Sequence, residues 1–147
     1  MNKNNSKKIL IVEDDLSNHP LFRKAFENSG FQVVISQNAD GEFASDVSEV
    51  APDIISMDLM IGKPDVVLLR DGFDAIELLK GDERTKHIPI IVMTNFFEIS
   101  KVERAKALGA ADYVSLQGNS ITEIPDIFTA YLKDPKHYNP THPVFRD

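Results

Sequence analysis

Cysteine is absent from this chain. Its absence excludes disulfides and thiolate metal centres. It also suits a reducing compartment, so a cytoplasmic location is expected. Long apolar runs are missing too, and none approaches the ~20 residues that span a bilayer. No membrane role is expected. Residues 1–7 are polar and lysine-bearing, with no apolar signal region behind them, and read as a flexible, solvated arm. Positive charge is the scarcer sign: 16 Lys and Arg stand against 23 Asp and Glu, a net charge of −7. Nucleic-acid phosphates want a basic face, so direct nucleic-acid binding is not expected.

What is present is enough for one domain. A chain of 147 residues can bury a substantial core. Strand and helix patterns alternate about five times, which argues a parallel sheet covered on both faces. The strands are short β-branched runs of the kind buried on both sides. The first helix should start near Ser17 or Asn18 with Pro20 in its first turn, and Gly30 should close it. Its apolar stripe is Leu21, Phe22, Ala25 and Phe26. Gln32 to Ser36 reads as the second strand, and a weak second helix runs from about Gly41 to Val50 before Pro52. The third helix carries Phe73, Ile76, Leu78 and Leu79. The fourth carries Ile99, Val102, Ala105 and Leu108, with Lys101, Glu103, Arg104 and Lys106 as a solvated face. The fifth carries Ile124, Ile127, Phe128, Tyr131 and Leu132, with Thr122 as N-cap and Pro125 third in the helix. The domain is bounded at residues 8–133. Prolines make 134–147 an extended C-terminal segment, either packed along the domain or free.

Chemistry gathers where the strands end. Lys8-Ile9-Leu10-Ile11-Val12 runs into Glu13-Asp14-Asp15, and Asp53-Ile54-Ile55-Ser56-Met57 runs into Asp58. Pro89-Ile90-Ile91-Val92-Met93 runs into Thr94, and Ala111-Asp112-Tyr113-Val114-Ser115 runs into Leu116. Open parallel sheets bind ligands beyond the carboxyl ends of their strands. Several acids and a hydroxyl delivered there would make a cation-dependent pocket.

These segments, together with Ala107-Leu108-Gly109-Ala110 before the last strand, resemble the receiver domain of two-component response regulators over about residues 7–133. The resemblance implies a doubly wound α/β fold with a five-stranded parallel sheet ordered 2-1-3-4-5, flavodoxin-like. It implies that Asp58 accepts a phosphoryl group from a histidine kinase or phosphotransfer protein. Glu13 and Asp14 would hold Mg2+ with Asp58 and the backbone carbonyl of Met60, a set of hard oxygens that suits that ion. Thr94 would turn its hydroxyl to the phosphate. Tyr113 would follow it and couple the site to a downstream protein on the face of helix 4, strand 5 and helix 5.

Three places depart from the family pattern. Leu116 stands where a lysine usually pairs with the phosphoryl oxygens, and Gln117 replaces the following proline. The peptide between them is therefore expected trans, and residues 117–121 irregular. The loop after Asp58 is longer by roughly nine residues before the Asp71-Gly72 turn, against a usual ~2–6 for such connections. Lys63 or Arg70 in that loop could supply the missing charge. Asn95-Phe96-Phe97 follows Thr94, and one phenylalanine is expected in the core.

Two readings stay open. One is a stand-alone, Mg2+-dependent phospho-acceptor that signals through protein contacts and is not an enzyme with a separate substrate. At this length no output domain is expected. The other is a pseudo-receiver that binds partners without phosphorylation. A phosphohydrolase would want an aspartate where Met60 stands, and a flavodoxin-like carrier would want a phosphate loop after strand 1.

Overall fold

The computed structural model describes residues 6–61 and 70–146. Five strands alternate with five helices: β1 Lys8–Val12, α1 His19–Asn28, β2 Gln32–Ser36, α2 Phe43–Val50, β3 Ile54–Met57, α3 Gly72–Gly81, β4 Ile90–Thr94, α4 Ile99–Ala107, β5 Asp112–Ser115 and α5 Ile124–Lys133. All pairings are parallel, and the order is β2-β1-β3-β4-β5. This is the expected doubly wound receiver fold.

Alternation along the strands builds two cores. Leu10, Val12, Ile55, Met57, Ile90 and Val92 face α2, α3 and α4, where Phe43, Phe73, Ile76 and Val102 close over them. Ile9, Ile11, Ile54, Ile91, Met93 and Val114 face α1 and α5. There Phe26 meets Phe128 edge-on at 5.2 Å between ring centroids. Each such side chain, removed from water, contributes about 1.5–3 kcal/mol. The register sets the site. Val12 pairs with Met57, and Met57 with Val92, so the residues after each strand emerge side by side.

Several local expectations need correction. Leu21 and Ile99 are exposed, because the core-facing arcs of α1 and α4 are narrower than the apolar stripes. Phe96 and Phe97 are both exposed, so neither joins the core. The α2 helix begins at Phe43, two residues late, because Gly41 sits at φ 64°, outside helical space. Glu123, not Thr122, occupies the N-cap position of α5, without a side-chain capping bond, and Pro125 is the second residue of the helix. The face of α4 is not merely solvated. Arg104 lies over the Phe73 ring at 4.2 Å, and Lys106 Nζ donates to the Val144 carbonyl at 2.8 Å. Residues 117–121 are irregular, and no cis peptide occurs among the described residues.

The C-terminal segment packs along the domain instead of hanging free. It makes two short 3-10 turns, Pro135–His137 and Pro143–Phe145, and its residues Tyr138, Thr141 and His142 hydrogen-bond the Asp112 side chain of β5. No described helix is long and apolar enough to cross a membrane.

Candidate functional site

Glu13, Asp14 and Asp58 each bring a carboxylate oxygen within 4.8 Å of the others. Parallel pairing causes this: Asp58 N–H donates to the Val12 carbonyl at 3.1 Å, which ties the end of β3 to the end of β1. Glu13 is held from behind, with its side chain accepting from Asp15 N–H at 3.2 Å and its carbonyl bonded to His19 Nε2 at 2.6 Å. At 3 % exposure it is the deepest of the three acids. Asp58 is half-buried, and its Oδ1 accepts from the Thr94 hydroxyl at 3.0 Å and from Met60 N–H at 3.3 Å.

The electrostatics are those of acids crowded together. Burial, and then the charge of Asp58, push the Glu13 carboxyl up from 4.5 to about 8. The same two causes raise Asp14. Such a cluster gains from a divalent cation, which favours the ionised carboxylates and takes hard oxygens. The donor set fits Mg2+. The Met60 backbone lies beside Asp58 through its amide.

A hydrogen-bonded path leads away from Asp58. Thr94 Oγ1 also accepts from Phe96 N–H at 3.4 Å, and the Phe96 carbonyl accepts from the Tyr113 hydroxyl at 2.5 Å. Tyr113 is 2 % exposed. Burial pushes its phenol up to about 12, with the charges of Glu98 and Asp58 adding to the effect.

Two backbone features support the pocket. Asp71 and Asp74 form a reciprocal capping box at the start of α3. Gly72 N–H donates to the Leu59 carbonyl at 2.8 Å. A Cβ at Gly72 would lie 2.3 Å from the Asp58 carbonyl oxygen, so only glycine fits there. The Asp71-Gly72 pair was visible as a turn in sequence, but not its closeness to Asp58.

The departures also find their places. Leu116 is half-buried and packs against the α1/α5 core, while its N–H donates to the Thr94 carbonyl at 2.9 Å. Arg70 does not turn to Asp58. Its guanidinium donates to the carbonyls of Ala39 and Gly41, each at 2.8 Å. Lys63 and the middle of the long loop lie outside the described residues.

Asp112 was not anticipated from sequence. It is fully buried, and its carboxylate accepts hydrogen bonds from Tyr138, Thr141 and His142 in the C-terminal segment. In sequence it read as an ordinary strand residue.

Comparison with known proteins agrees with this fold. A family model, the response regulator receiver domain, matches residues 9–120. The polar-differentiation response regulator DivK of Brucella anthropi is 33% identical over 129 residues, covering 87% of this chain and 98% of the relative. The phosphorylated cyanobacterial phytochrome response regulator RcpA superposes with a TM-score of 0.69 at 23% identity, covering 88% of this chain and 96% of that one. The BeF3-activated N-terminal receiver domain of Klebsiella pneumoniae RstA gives 0.73 at 20% identity, covering 86% and 99%. At these identities the two structures establish the shared fold.

Proposed function

The chain belongs to the response regulator receiver domain family, and we propose that it is a stand-alone receiver that accepts a phosphoryl group on Asp58 and signals through protein contacts. Family members are signalling modules that interact with histidine kinases or phosphotransfer proteins. One observation carries the reading: three carboxylates and the Thr94 hydroxyl meet at the carboxyl end of the sheet.

In the proposed step a carboxylate oxygen of Asp58 attacks the phosphorus of a phosphohistidine. The new O–P bond makes an acyl phosphate, the P–N bond breaks, and the leaving imidazole nitrogen takes a proton. Glu13, Asp14, Asp58 and the Met60 carbonyl would hold Mg2+, which offsets the negative charge of acids and phosphoryl oxygens. Thr94 already donates to Asp58 Oδ1. Rotation about its χ1 would move that hydroxyl to a phosphoryl oxygen. Phe96 and Tyr113 would feel the move through their hydrogen bonds. Chemistry here is self-catalysed transfer and hydrolysis, without a separate metabolite. The output surface in this reading is the face of α4, β5 and α5, and the site of action is the cytoplasm.

Leu116 favours a second reading. Its side chain packs against apolar residues where the family has a phosphate-binding lysine. A pseudo-receiver would bind its partners through the same fold without phosphorylation. Intact-mass measurement after incubation with acetyl phosphate and Mg2+ separates the two. The phospho-acceptor gains one phosphoryl group in the wild type and none in Asp58→Ala. No gain in either protein supports the pseudo-receiver.

A further inference from the structure

The C-terminal segment occupies the face through which signalling is proposed to leave. Asp112 Oδ2 accepts from the Tyr138 hydroxyl, from Thr141 N–H at 2.8 Å and from Thr141 Oγ1 at 3.0 Å. Its Oδ1 accepts from His142 N–H at 3.2 Å. The His142 ring meets the Tyr113 ring edge-on at 5.9 Å, and Tyr138 meets Tyr131 of α5 at 5.2 Å. Val144 and Phe145 pack against the α3/α4 core, and Lys106 of α4 holds the Val144 carbonyl. One segment therefore touches α4, β5 and α5 together. It also lies against an edge strand, where Thr141 Oγ1 donates to the Tyr113 carbonyl at 3.4 Å.

Beneath this segment lies the hydrogen-bonded path to the acidic site. Asp58, Thr94, Phe96 and Tyr113 are linked in series, and His142 closes over the last of them. An output protein cannot reach Tyr113 while the segment is docked.

We propose that residues 138–145 are a clasp acting in cis: they compete with the output protein for the face of Asp112 and Tyr113, and phosphorylation of Asp58 weakens their docking. The proposal rests on the reading of Asp58 as the phospho-acceptor. The two states are clasp docked, with Tyr113 bonded to Phe96, and clasp released. Coupling is reciprocal, so a variant that loosens the clasp binds a phosphoryl mimic more tightly by up to the same factor. A buried carboxylate is well suited to such a clasp. Four of its five donors come from the clasp, the fifth being the N–H of Tyr113 at 2.7 Å, so docking is specific, and on release both sides can be hydrated.

Hydrogen exchange on the full chain tests this. The amides of Thr141, His142 and Val144 report the clasp directly, since the first two bond Asp112 and the third bonds His142 Nδ1. Beryllium trifluoride with Mg2+ serves as the phosphoryl mimic, and fluorine NMR follows its binding separately. In untreated protein these amides are expected to exchange at least about tenfold slower than free peptide. The mimic should speed them several-fold in the wild type and leave Asp58→Ala unchanged. Asp112→Asn should abolish the protection. Because that variant alters a buried residue, Tyr138→Phe on the clasp itself provides a second arm, with faster clasp exchange, unchanged amides in β1 and β3, and tighter mimic binding. Free-peptide exchange in untreated protein would overturn the clasp. Bound mimic with unchanged exchange would overturn the coupling. Absence of mimic binding in every variant would remove the phospho-acceptor reading and the coupling with it, while protection in the untreated protein still decides whether the clasp exists.

Discussion

Glu13 should make stability fall as pH rises, the reverse of a salt-bridged carboxylate. Its folded-state pKa is about 8, against an ordinary value of 4.5. Below the lower value the group is protonated in both folded and unfolded chains, and the fold keeps its full stability. Between the two values the unfolded chain ionises the carboxyl while the folded chain keeps the proton. The unfolded state then binds fewer protons, so stability declines with pH and levels off above the folded pKa. At ~1.4 kcal/mol per unit the whole shift sets an upper bound of about 5 kcal/mol. Water at the pocket mouth screens the neighbouring charges, so about 2–4 kcal/mol is the expected loss. Urea unfolding with a chelator present, at about pH 5, 6.5 and 8, measures it directly. The wild type should lose that amount across the series, and Glu13→Gln should lose much less. Millimolar Mg2+ should restore most of the loss near pH 8 and little near pH 5, because protons compete for the ligands. Asp14→Asn should weaken the Mg2+ effect. If the wild type and Glu13→Gln differ by a constant amount at every pH, Glu13 is not held protonated and the crowding argument fails.

Gly72→Ala should destabilise the fold by about 3 kcal/mol, the upper end for overpacking, because its Cβ would meet the Asp58 carbonyl and Leu59 Cα, both backbone atoms. Thermal melting and acetyl phosphate labelling should both fall. Leu116→Lys should lower stability by about 1–2 kcal/mol while its stem covers part of the apolar surface. Its ammonium, beside Thr94, should speed labelling about tenfold, the effect of ~1.4 kcal/mol on the barrier. A folded variant that labels no faster would mean the missing lysine does not limit the reaction. Arg70→Ala should cost about 1–2 kcal/mol through its two carbonyl contacts and leave the labelling rate unchanged. A sharp drop in rate would mean Arg70 serves the site despite its bonds to Ala39 and Gly41.

The sheet was legible because its strands are short apolar runs, and β1, β3 and β4 each lead into an acid or a hydroxyl. Val12, Met57 and Val92 mark the register, and the acids and Thr94 that follow had to emerge together. Helix faces were less legible. Periodicity places Leu21 and Ile99 on the apolar stripe, but only packing decides how wide the buried arc is. Phe96 and Phe97 follow a strand end where the chain turns outward, so hydrophobicity alone misplaced them. Asp112 was illegible for a different reason. Its partners lie 26 to 30 residues away in a proline-rich segment that local pattern marks only as non-helical. The conflict between Leu116 and an otherwise complete acidic site was visible in sequence. The structure explains its local basis, since the leucine is held by the α1/α5 core.

The central claim is that Asp58 carries the phosphoryl group. Borohydride reduces an acyl phosphate to the alcohol, so aspartyl phosphate becomes homoserine, and peptide mass spectrometry then locates it. After treatment with acetyl phosphate and Mg2+, the conversion should appear at residue 58, and it should disappear when Mg2+ is chelated. Homoserine at Asp14 or another acid, or at no position in folded, Mg2+-loaded protein, would contradict the account.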